Sequence, residues 1–106
     1  MTEKVVRDGR VAVLVSPGFG AGWSTWSRDT DSVEQCLFDP ETVAWVEGGM
    51  VDSQPDFKAK FGEDFYDGGA SDLVIQWIPV GTQFRIEEYD GSESLWTADE
   101  YKWFTA

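Results

Sequence analysis

Between Gly9 and Pro17 the chain runs Val11-Ala12-Val13-Leu14-Val15 with no polar position. An unbroken apolar run of that length, closed off by glycine and proline, predicts a strand covered on both faces and central in a sheet. Val5-Val6, just before it, predicts a short edge strand or a lead-in. Residues 16–32 carry little pattern and read as loop. A short helical turn is expected over residues 32–38. Asp39-Pro40 then marks a helix start, because Asp can accept from free amides and Pro at the first position has no N–H to satisfy. Val43 and Val46, with Trp45 as a further candidate, form its inner face and Gly48-Gly49 its stop. Pro55 opens another helical segment, in which Phe57, Phe61 and Phe65 recur at spacing four and share one stripe. Gly62 weakens that helix by about 1 kcal/mol.

From residue 72 the apolar period changes to that of strands. Leu73-Val74-Ile75-Gln76-Trp77-Ile78 predicts one strand, Pro79-Val80-Gly81-Thr82 a turn, and the alternation in Phe84-Arg85-Ile86-Glu87 a half-buried antiparallel strand. Asp90-Gly91 tolerates the positive φ of a two-residue hairpin turn, and Leu95-Trp96 begins the returning strand. Tyr101-Lys102-Trp103-Phe104 offers one more edge. The expected fold is α+β: a mostly antiparallel sheet of four to five strands with two or three short helices on one face. Residues 1–106 read as one domain, and a chain of 11.9 kDa can bury about 65% of its unfolded surface.

Histidine is absent, which removes the usual neutral-pH general base, the histidine-assisted nucleophiles and imidazole metal ligands. The reading is therefore non-enzymatic, with no cofactor and no metal. The lone Cys36, among Val33, Leu37 and Phe38, reads as a buried inert thiol, and the cysteine usage suits a reducing compartment. No apolar stretch approaches the length of a membrane span, so a cytoplasmic protein is expected. Of the net charge of −12, residues 29–106 carry −14 and residues 1–28 carry +2. Such a surface repels phosphate backbones, which argues against direct nucleic-acid binding but allows imitation of them. Solubility alone is an equally good account of the acidity.

Two constellations stand out. Ser16-Pro17-Gly18-Phe19-Gly20-Ala21-Gly22-Trp23-Ser24-Thr25-Trp26 follows the buried strand. Gly18, Gly20 and Gly22 leave backbone amides unshielded, Ser24 and Thr25 carry hydroxyls, and Phe19, Trp23 and Trp26 offer rings for stacking, so the segment can cradle an anionic, planar ligand. Its spacing matches neither the dinucleotide fingerprint nor a P-loop. Alternatively, the glycines let the loop fold over the sheet and the tryptophans fill the core. Arg28 and Arg85 are the candidate cations, although Arg85 is also placed to pair with Glu87. The second constellation is the acidic run Glu87, Glu88, Asp90, Glu93, Asp99 and Glu100, whose spacing is comparable to a phosphate backbone; a solvated face explains it too. Adjacent acids on a strand point to opposite faces, so Glu87 and Glu88 cannot act jointly.

SPGFGAGWSTW and GGASDLVIQWIPVGTQFRIEEYDGSESL together resemble a family of small proteins encoded by tailed phages and prophages. The resemblance spans residues 11–96, and departs at Ser16-Pro17, where a His is expected before the glycine loop. It implies a phage accessory role in the cytoplasm of a bacterial host, with counter-defence as the analogy, and supplies no chemistry. The favoured expectation is a binding protein that sequesters a nucleotide-derived host immune signal through Gly18, Phe19, Gly20, Gly22, Trp23, Ser24, Thr25, Trp26, Arg28 and Arg85, as a homodimer or higher oligomer. The alternative is an acidic mimic that blocks a basic host nuclease, restriction or CRISPR complex.

Overall fold

A computed structural model describes residues 2–18, 22–26, 30–98 and 105–106, with the backbone alone for 30–32. Strand β1 (Val6–Arg7) turns through Asp8-Gly9 into β2 (Arg10–Val15). A 3-10 turn (Ser24–Trp26), α1 (Thr30–Phe38), α2 (Pro40–Glu47) and α3 (Phe57–Phe61) follow. A second 3-10 turn (Ala70–Asp72) leads into β3 (Val74–Pro79), β4 (Phe84–Tyr89) and β5 (Ser92–Thr97). The fold is α+β, and among the described residues every strand pair is antiparallel. No described helix is long and apolar enough to cross a membrane.

The five strands among the described residues form two sheets, β1-β2-β3 and the hairpin β4-β5. Val80 N still bonds the Gly9 carbonyl at 2.9 Å, continuing the β2–β3 ladder, and the chain then turns: Thr82 N bonds Pro79 O at 3.1 Å and Gly81 takes φ +86°. The hairpin thereby stacks on the first sheet instead of extending it. Both hairpin turns use Asp-Gly at positive φ, 53° and 75° at Asp8-Gly9 and 50° and 82° at Asp90-Gly91.

β2 is covered on both faces, because alternate residues feed different clusters. Ala12 and Leu14 lie with Trp23, Cys36, Val43, Phe57, Phe61, Phe65 and Leu73. Val11, Val13 and Val15 lie with Leu37, Phe38 and Ile78, and with Phe84, Ile86 and Leu95 of the hairpin. Helices α2 and α3 thus cover one face and the hairpin the other, while α1 contributes to both. Asp39 caps α2, accepting from Thr42 N at 3.0 Å and Thr42 Oγ1 at 2.6 Å.

The phenylalanine stripe departs from its expected form. α3 ends at Phe61, since Gly62 adopts φ +115°, and Phe65 is delivered by the following turn, its N–H bonding to Gly62 O at 3.0 Å. All three rings still meet Trp23 edge-on, with centroids 5.0, 6.2 and 5.0 Å away. The expected edge strand over 101–104 lies outside the described residues.

Candidate functional site

The glycine-aromatic segment is organised around Glu93. This residue sits two positions before Leu95 on β5, on the same side of the strand, and is only 3% exposed. Its N–H donates to Ser16 O at 2.9 Å, and its Oε1 accepts from Ser16 N at 3.0 Å. Oε2 accepts from Trp23 N at 2.8 Å, Thr25 N at 3.0 Å and Thr25 Oγ1 at 2.6 Å. A buried carboxylate is costly unless its lone pairs are matched by donors. Here the strand end supplies one amide, and the loop supplies two amides and a hydroxyl. These amides do cradle an anion, and the anion is the chain's own side chain.

Trp23 is fully buried, and its Nε1 donates to Cys36 O at 2.8 Å. It therefore belongs to the core and offers no stacking face, which corrects its assignment as a ligand platform. Gly22 is buried because the Trp26 ring lies against it, where a Cβ would clash. Trp26 packs on Tyr66, with centroids 4.7 Å apart. Gly18 runs against Asp72, whose carboxylate a Cβ would strike. These glycines serve close packing. Phe19, Gly20 and Arg28 lie outside the described residues. The Thr25 hydroxyl donates its one hydrogen bond to Glu93, so toward any other group it acts as an acceptor.

The structure does bring Ser24, Thr25 and Arg85 together. They line a cleft of about 400 Å³ between the Ser24–Trp26 turn, α1 and β4. Its apolar wall includes Leu37, Ile86 and the rings of Phe38 and Phe84, which stand at 89° with centroids 6.1 Å apart. Lys4, not anticipated, enters from the N-terminal segment with Nζ 4.7 Å over the Phe38 ring. The carboxylate of Glu34 lies on the rim and accepts from Thr2 Oγ1 at 3.1 Å. Arg85 bonds Glu87 at 2.7 Å on the exposed outer face of the hairpin, the pairing weighed for it above. A solvent-exposed pair of this kind contributes about 1 kcal/mol or less.

No known family, curated protein or solved structure matches this chain.

The acidic run does not form one surface. Glu93 is interior, Glu87 pairs with Arg85, and Glu88 accepts from Gly91 N at 2.8 Å inside the hairpin turn. Asp90 occupies that turn, and Asp99 and Glu100 lie outside the described residues. Glu93 was visible in the sequence only as one acid among many. The signal that singles it out is its spacing of two from Leu95, which puts it on the buried face of β5. Among the described residues no cluster of three or more ligating side chains suits a metal ion. Burial pushes the Cys36 thiol well above its ordinary range and the charge of Glu93 adds to this, so the thiol stays protonated and unreactive.

Proposed function

We propose that this protein is a non-enzymatic binding protein that holds a small nucleotide-derived ligand in the cleft between α1 and β4. One observation carries the reading: on a chain of net charge −12, Lys4 and Arg85 both border a cleft walled by two perpendicular phenylalanine rings. Two cations suit a phosphate, with Arg85 able to fork onto its oxygens. Apolar walls suit a base, and Thr25 is an acceptor for an exocyclic amino group. The volume lies within the range of small-ligand sites. In a phage accessory protein, the role implied by the resemblance above, such a ligand is a host immune signal removed by sequestration.

The test is a melting-temperature screen against mono-, di- and cyclic nucleotides, run on the wild type and on a Lys4→Ala/Arg85→Ala double variant. A ligand at 100 times its dissociation constant adds about 2.7 kcal/mol, a shift of several degrees. The shift is expected in the wild type and lost in the variant. No shift with any nucleotide overturns the reading.

A further inference from the structure

β3 is an edge strand: β2 bonds one side of it, and among the described residues no strand bonds the other. Natural edges are commonly blunted by charge, especially by lysine. Here residues 73–84 contain no charged side chain at all, in a chain that carries 28 of them. The only longer charge-free run, residues 11–27, contains β2, which is sheathed on both faces. Along β3, by contrast, Val74 is 41% exposed and Gln76 is exposed. N–H and C=O groups that no described residue bonds call for an extended strand, and neutrality decides which strand. Two copies of a −12 protein repel wherever acids face each other, but not along this edge.

We propose that the protein forms a two-fold dimer by antiparallel pairing of β3 with β3 of a second copy, joining two three-stranded sheets into one of six. Residues directly opposite in an antiparallel pair must point to the same face, so a two-fold ladder is centred on a residue. The ladder that leaves out Pro79, which has no N–H, is centred on Gln76. It sets Gln76 against Gln76 of the partner, Ile75 against Trp77 and Val74 against Ile78. The inference stands independently of the ligand proposal.

Sedimentation of the full chain tests it. The wild type is expected at twice the chain mass. Gln76→Lys and Gln76→Glu each place like charges opposite one another, and each is expected to sediment as a folded monomer by circular dichroism. An equimolar mixture of the two is expected to recover the dimer, a result that misfolded variants cannot give. Val51→Lys, at an apolar position 84% exposed, is expected to leave the dimer intact. A monomeric wild type, dimers that survive both Gln76 changes, or dissociation by Val51→Lys equal to theirs would each overturn the proposal.

Discussion

The short segment from Gly22 to Trp26 has two sides with opposite chemistry. Its inner side is finished: the amides of Trp23 and Thr25 close on Glu93, and the Trp23 indole closes on the Cys36 carbonyl. Its outer side opens on the cleft, where Lys4 and Arg85 bring positive charge to an apolar wall. The difference teaches that a glycine-rich loop with anion-binding amides is not by that fact a ligand loop. What matters is whether an internal acceptor has already taken the amides. Here Glu93 has taken the amides of Ser16, Trp23 and Thr25, and the same segment lends Ser24 and Thr25 to the lining of the cleft.

Breaking the inner side should cost stability. Trp23→Ala removes the ring that the three phenylalanines surround, and is expected to lower the unfolding free energy by about 4 kcal/mol in chemical denaturation. Glu93→Ala strands three amides and a hydroxyl, and about 3 kcal/mol of loss is expected by the same measurement. Glu93→Gln should lose less, since an amide oxygen still accepts while its NH₂ faces N–H donors. Gly22→Ala drives a methyl into the Trp26 ring and should cost about 1–3 kcal/mol.

The outer side should respond in the opposite sense. Arg85→Ala removes an exposed ion pair with Glu87 and should cost no more than about 1 kcal/mol of stability, while abolishing ligand-induced stabilisation. Cys36 sharpens the contrast at the smallest scale. Its raised pKa and burial predict negligible labelling by thiol reagents at neutral pH in the native state, and complete labelling once the chain unfolds.

Much of this organisation was legible in the sequence, and the exceptions have physical causes. The apolar run of β2 announced its double burial, and Asp39-Pro40 and Asp90-Gly91 announced a helix start and a hairpin. The identical Asp8-Gly9 pair makes the same kind of turn, but β1 is only two residues long, too short to show an alternating pattern. Phe57, Phe61 and Phe65 were correctly grouped on one side, yet the helix meant to carry them stops where Gly62 takes a backbone conformation that L-residues avoid. At the candidate site, composition identified Ser24, Thr25 and Arg85 without the fold that joins them. Lys4 was missed because nothing local to the N-terminal segment indicates that it crosses to Phe38. Glu93 was misplaced for a related reason: the donors that hold it lie about 70 residues away, a pairing that only the tertiary structure creates.

The central claim is that ligand binding occurs on the outer side of the Gly22–Trp26 segment while Glu93 holds the inner side closed. It is tested most directly by an amide NMR titration of the full chain with the nucleotide that raises its melting temperature most. The account predicts shifts concentrated at Lys4, Thr25, Leu37, Phe38 and Phe84 through Ile86, with the Ser16 and Trp23 amides bound to Glu93 throughout. Shifts centred on Ser16, Gly18 and Trp23, with the Glu93 contacts displaced, would contradict it.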